Sequence, residues 1–349
     1  MHGIPSDPVH RAHVRQTLSL AAVVLATAAL AFSALYAPAH ARAAQDGCVV
    51  IDTDLDIDDM MSMPMVVGNR HVAAVVTTEG FTTPELGAAA TSRLLAEPGQ
   101  RAIPVIVGAG IHRSESDIAS SFGDFVLVFR KLMNRLNDFL PAALPPTPRQ
   151  DDYVQQIVDA VASCQRVDVL LLGAFTSFVD YGPAIRSKLG RVVISGRPVN
   201  ADSDLEAVES FNCSYDRPSC ATVFHDQLPG LNYSFVDVPR SDCDLTPNRA
   251  GCVGTVYGPT LDMARSLGPT GLPNTLKQIM LNHPNSWAID TWENSGYGGR
   301  SLFWDQSAAL ELLAPELFRD VDTHRETTLS PADFQRTWAE YTNRGAQYA

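Results

Sequence analysis

The sequence predicts one α/β domain built on a mainly parallel β-sheet flanked by helices, a Rossmann-like open sheet. Three observations predict it. Apolar, β-rich runs alternate with helical patterns at roughly thirty-residue intervals, the rhythm of strand–helix–strand units. The runs stop at acidic or turn-forming stretches, as "CVVID" does at Asp52 and "IPVIVGAG" does at Gly110. The chain has 349 residues, 45% hydrophobic and 19% charged, enough to bury a large core in a single domain.

Taken in order, the first strand is "CVVID" (48–52), and the methionine-rich "MMSMPMVVGN" (60–69) after it reads as a helix. "VAAVVTTEG" (72–80) is a strand ending in a turn. "PELGAAATSRLLAE" (84–97) has helical spacing with proline at its start. A third strand lies in "IPVIVGAG" (103–110), a helix around "FGDFVLVFRKLMNRL" (122–136), and a proline-rich connector at 140–150. An amphipathic helix (151–164) leads to strands at "RVDVLLLGAF" (166–175) and "RVVISG" (191–196). In such sheets chemistry gathers at the carboxyl ends of the strands. Those ends are the aspartates after the first strand, "TTEG" after the second and "GAFTS" (173–177) after a later one.

The first 44 residues read differently. Arg11 and Arg15 precede the apolar run Leu18 to Tyr36, and A-x-A signals follow at Ala39–Ala41 and Ala41–Ala43. Residues 1–44 are therefore expected to be a cleaved secretory signal, with an uncleaved membrane anchor as the second reading because the run is long. One domain, 45–349, would then be exported, periplasmic or secreted. The formal net charge of −13, with only three lysines (Lys131, Lys188, Lys277), argues against nucleic acid as a partner. A small neutral or cationic ligand, or a bound metal ion, fits better. Six cysteines in an exported chain suggest disulfides. The short polar loops make Cys213–Cys220 and Cys243–Cys252 the preferred pairs, which leaves Cys48 and Cys164; buried thiols are the alternative.

The densest chemistry is in "DTDLDIDD", where Asp52, Asp54, Asp56, Asp58 and Asp59 fall within eight residues. A calcium-binding hand loop is rejected, because it needs Gly where Ile57 stands and Glu where Met63 stands. A magnesium-dependent phosphatase with an aspartyl nucleophile at Asp52 stays open. So does a solvated acidic loop in which Asp58 and Asp59 favour a helix N-terminus. Against that last reading, the run sits between two apolar segments rather than on a polar face.

The same residues resemble the D-x-D-P-G-x-D-D signature of the nucleoside hydrolases, with Leu55 and Asp56 in place of Pro and Gly. The resemblance is collinear along most of the chain. "VVTTEG" is similar to the family's second strand and "IPVIVGAG" to its I-P-V-x-x-G-A; "VDVLLLGAFTSFVDYGPAI" resembles T-G-P-L-T-N-I-A. "ESFNCSYDRPSCATVF" resembles A-E-F-N-x-x-x-D-P-E-A-A-x-x-V-F, and "LFWDQSAALELLAPELF" resembles L-H-D-P-L-A-x-x-x-x-x-P-x-L-F. The resemblance implies a nucleoside hydrolase-like fold and cleavage of the N-glycosidic bond of a ribonucleoside or related riboside, giving free base and ribose. It implies a calcium ion held by Asp54, Asp59, Asp305 and the main-chain carbonyl of Leu172, with Asp54 as general base. Asp58, Asn212 and Asp305 would hold ribose hydroxyls. Family members are commonly dimers or tetramers, so a homo-oligomer is expected by analogy.

The departures concern the sugar and the base. Phe81 or Thr82 stands where the family has Asn, Ser210 replaces its Glu with Glu209 adjacent, and Asp204 replaces a second Asn. Trp304 stands where a His would protonate the leaving base, which suggests stacking instead. His225 and His283 are the remaining candidate acids, each read first as a structural or surface histidine. A non-catalytic riboside-binding protein that keeps the metal site is the rival reading.

Overall fold

The computed structural model describes residues 47–96, 100–134, 152–196, 211–239, 261–282 and 304–347. The expected leader, the 140–150 connector and the Cys243–Cys252 pair lie outside them. Eight strands form one sheet: β1 (Cys48–Thr53), β2 (His71–Thr77), β3 (Val105–Val107), β4 (Val167–Leu171), β5 (Leu189–Ser195), β6 (Asn232–Asp237), β7 (Phe318–Val321) and β8 (His324–Thr327). Their order is β3-β2-β1-β4-β5-β6-β8-β7. Every neighbouring pair is parallel except the edge pair β7 and β8. The expected mainly parallel open sheet is therefore the one observed.

The topology fixes where a site can form. The chain runs outward from β1 through β2 to β3, then returns to the other side of β1 with β4. The connections after β1 and β4 thus leave in opposite directions, and a crevice opens at the carboxyl ends of those two strands. Asp52 pairs across to Leu171 in the last register position of β1 and β4, so the aspartates and Leu172 emerge side by side.

Alternation along the strands sends successive side chains to opposite faces. Val49 and Ile51 enter one core, while Cys48 and Val50 enter the other. Helices α1 (Ile57–Val67), α2 (Pro84–Leu94), α3 (Glu115–Phe122), α4 (Asp124–Asn134), α5 (Tyr153–Ala160) and α6 (Phe178–Ala184) follow in order. After them come α7 (Phe211–Tyr215), α8 (Arg217–Thr222), α9 (Leu261–Ser266), α10 (Gly271–Leu281), α11 (Trp304–Leu313) and α12 (Pro331–Asn343). Side chains of α1, α4, α10, α11 and α12 build the larger core, and those of α5 to α8 build the other.

The differences from the sequence reading have local causes. The methionine-rich helix begins at Ile57, three residues early, because Asp56 caps it. The expected helix over 122–136 is cut at Gly123, whose φ of +88° ends α3 and lets α4 start. Two disulfides are present, Cys48–Cys164 and Cys213–Cys220, and no cysteine among the described residues is free. Among the described residues no helix is long and apolar enough to cross a membrane.

Candidate active site

The turn after β1 is strained and heavily supported. Leu55 sits at φ +53°, the left-handed region that residues with a branched side chain seldom occupy. Its side chain is fully buried and its N–H donates to Thr53 Oγ1 at 3.0 Å. Asp56 then closes a reciprocal cap on α1. Its carboxylate accepts from the Ile57 N–H at 2.7 Å, and its own N–H donates to Asp59 Oδ2 at 2.9 Å. The Thr53 hydroxyl donates to the other oxygen of Asp59. Asp56 is thus a capping residue where the family motif carries Gly, which accounts for one of the five aspartates without chemistry.

Asp54 is held from three sides. Its Oδ2 accepts from the Phe81 N–H at 3.0 Å, and its main-chain oxygen accepts from Thr82 N (3.0 Å) and Thr82 Oγ1 (2.8 Å). Two glycines permit that approach. A Cβ on Gly80 would lie 1.9 Å from Asp54 Oδ2, and one on Gly173 would lie 2.8 Å from Asp54 N. Phe81 and Thr82, the departures from the family's Asn, therefore serve Asp54 chiefly through backbone and hydroxyl groups.

Asp58, Asp59 and Asp305 offer one oxygen each within 4.8 Å of one another, two from the first turn of α1 and one from the first turn of α11. Asp54 and Asp305 also lie close enough to Asp59 to interact with it, and Ser195 at the end of β5 favours the ionised form of Asp305. Burial pushes every carboxyl here upward. Asp54, Asp58 and Asp305 rise well above the usual range, first from burial and then from neighbouring carboxylates. Asp59 is raised by burial as well. Asp52 and Asp56 rise to about 7 for the same first cause. A cation among these buried carboxyls would favour their joint ionisation at neutral pH. The donor set is all oxygen, which suits a hard divalent ion.

The sequence-derived metal ligands are therefore brought together in part. Asp59 and Asp305 come together with Asp58, while Asp54 stands on the preceding turn, bonded to Phe81 and Thr82. Leu172 follows β4, and its carbonyl oxygen accepts from Asn212 Nδ2 at 2.5 Å, so the expected carbonyl ligand and the expected sugar contact share one spot. Trp304 opens α11 partly buried, packed against the larger core. His225 is exposed on the π-helical turn Val223–Gln227, edge-on to Phe224. Asp204, Glu209, Ser210 and His283 lie outside the described residues.

One constellation escaped the sequence reading. Glu79 at the end of β2 is buried with Arg130 of α4 and Tyr215 of α7. Beside it Phe81, Phe122, Phe211 and Tyr215 form a chain of ring contacts with centroids 4.7–5.7 Å apart. Its only signal was an acidic residue in "TTEG"; the cation that pairs with it comes 51 residues later, from a segment read only as helix.

An acidic cluster at the switch point of a parallel sheet lies where α/β enzymes place their sites. Residues 49–345 match the family described as "Inosine-uridine preferring nucleoside hydrolase". The chain belongs to that family and is an N-glycosyl hydrolase of nucleosides. In solved structures it is similar to the purine-preferring ribonucleoside hydrolase from Gardnerella vaginalis, at 16% identity and TM-score 0.59, covering 86% of this chain and 100% of that one. It is also similar to a plant nucleoside hydrolase (14%, TM-score 0.56, 85% and 99%). An inosine-uridine preferring nucleoside hydrolase from Bacillus anthracis is a third such structure (12%, TM-score 0.52, 85% and 99%). At such identities these structures speak to the fold. By sequence, no curated protein matches the chain.

Proposed function

We propose that the chain hydrolyses the N-glycosidic bond of a ribonucleoside or related riboside with calcium in the acidic centre, after export from the cytoplasm. The observation that carries the reading is the convergence of Asp58, Asp59 and Asp305 at the switch point, with Asp54 close enough to feel the charge of Asp59. Asp54, Asp59, Asp305 and the Leu172 carbonyl would hold the calcium. When bound, calcium supplies positive charge that keeps these carboxylates ionised and orients water and the sugar diol.

Asp54 accepts a proton from the attacking water as the new oxygen–carbon bond forms at the anomeric centre. The electron pair of the broken bond leaves with the base, which takes up one proton from solvent to become the free base, and Asp54 then returns its proton to solvent. Asp58, Asn212 and Asp305 bind ribose hydroxyls, with Asp204 and Glu209 as further sugar contacts, and Trp304 stacks on the base rather than protonating it. Export is supported by the leader pattern in residues 1–44 together with two disulfides.

The test is ribose release from a panel of purine and pyrimidine nucleosides, with calcium, with chelator, and with Asp54→Ala. Release abolished by both perturbations is expected. Tight riboside binding with no release from any substrate would favour a non-catalytic binding protein instead. No calcium bound at all would overturn the metal assignment.

A further inference from the structure

Glu79 is 1% exposed, and its carboxylate accepts four hydrogen bonds from three separate parts of the chain. Oε1 takes Arg113 N at 3.0 Å, Arg130 Nη2 at 2.9 Å and the Tyr215 hydroxyl at 2.8 Å; Oε2 takes His112 N. Arg130, itself buried, donates in addition to the Gly80 carbonyl and to Tyr215 Oη at 2.6 Å. Arg113 returns to the Tyr215 carbonyl at 2.8 Å. The loop over 109–113 is thereby tied to the end of β2 and to α7.

This network grips both sides of the catalytic loop. Gly80, whose carbonyl Arg130 holds, is the glycine that lets Asp54 Oδ2 approach, and the next residue, Phe81, supplies the N–H bonded to that oxygen. Tyr215 belongs to the same five-residue helix as Asn212, which meets the Leu172 carbonyl. A carboxylate with four charge-assisted bonds in a buried site is far stiffer than a turn held by backbone bonds alone.

We propose that Glu79, clamped by Arg130 and Tyr215, is a positioning residue of this enzyme: it fixes the 79–82 turn and thereby aims the Asp54 carboxylate, while holding α7 and its Asn212 in register. The role rests on the assignment of Asp54 as general base. The side-chain hydrogen bonds of Glu79 run to His112, Arg113, Arg130 and Tyr215 and none to the acidic cluster, so it acts through the turn.

Glu79→Gln alone strands the Arg130 charge in the interior, which commonly unfolds a protein. The informative variants are therefore Glu79→Gln/Arg130→Gln, which removes both charges, and Tyr215→Phe, which removes one hydroxyl. An equally buried carboxylate at the amino end of the sheet, Asp168 paired with Arg70, gives the control Asp168→Asn/Arg70→Gln. In folded double variant, kcat is expected to fall on the order of 100-fold, as for a small misplacement of a reacting group, while KM changes much less. Tyr215→Phe should lie between it and wild type, and the control should lower Tm with kcat retained. Hydrogen exchange read by mass spectrometry should show lost protection over residues 78–82 in the double variant.

Unchanged kcat with unchanged exchange in that segment would overturn the proposal. So would a kcat loss in the control as large as in the Glu79 pair. The exchange measurement does not depend on turnover. If wild type releases no ribose, the hydrolase reading fails, while exchange over 78–82 still decides whether Glu79 holds the turn.

Discussion

Removing divalent ions should turn the acidic centre into a pH-dependent source of instability, and the size of the effect follows from the buried carboxyls. Burial pushes Asp52 from an ordinary 3.8 to about 7 in the folded chain. Between those values the unfolded chain has released the proton and the folded chain still holds it. The folded state binds more protons, so stability falls as pH rises through this window and levels off above about 7. A rise of that size in one fully buried carboxyl corresponds to about 4 kcal/mol. That is about 8 °C in Tm for a domain of this size. Asp54, Asp58, Asp59 and Asp305 shift in the same direction and steepen the fall. Calcium should restore most of what neighbour repulsion removes. It should leave the Asp52 part in place, because burial is the first cause there. The assay is thermal unfolding from pH 4.5 to 8, in chelator and in saturating calcium. A chelated protein whose Tm is flat or rises over that range would refute the reasoning, and so would curves that coincide with and without calcium.

Two further outcomes follow from the same geometry. Gly80→Ala places a Cβ 1.9 Å from Asp54 Oδ2, so the carboxylate must swing aside; kcat should drop on the order of 100-fold or more, and near-wild-type turnover would show that Asp54 has slack. The two disulfides close loops of very different length, with sequence separations of 116 and 7. Chain entropy then predicts that Cys48→Ala/Cys164→Ala costs about 5 kcal/mol and Cys213→Ala/Cys220→Ala about 2 kcal/mol, measurable by urea unfolding, with a reversed order counting against it.

The sheet was legible where the strands are long and apolar. β1 and β4 are buried throughout, β2 in all but its first residue and β5 over its last four, and the sequence places each of them. β6 begins with exposed residues and β7 and β8 have four residues each, too short for a period to register. The carboxylate cluster was legible because five aspartates share one loop and a motif places the sixth at Asp305. The Glu79 network was not, since its four partners are spread over residues 112 to 215 and only the fold makes them neighbours. The strain at Leu55 was equally hidden: a leucine in a motif position carries no mark of positive φ.

Why the chain can hold so many carboxyls together is answered by the helix that carries two of them. Ten of the eleven residues of α1 are buried, among them Met60, Met61, Met63 and Met65, and truncating such a side chain typically costs about 2–5 kcal/mol. Trp338 of α12 donates its indole N–H to the Met61 carbonyl at 3.0 Å, and Gln306 of α11 reaches the Met61 sulfur. Helix α1 therefore cannot slide to relieve repulsion without opening the larger core. Its positive N-terminal end offsets part of the negative charge. Core packing thus forces Asp58 and Asp59 against Asp305, and the remaining electrostatic cost is what a cation at this position would convert into binding affinity. On this argument, loosening α1 by Met61→Ala should weaken calcium binding as well as the fold, because the same packing that stabilises the core holds the ligands in place.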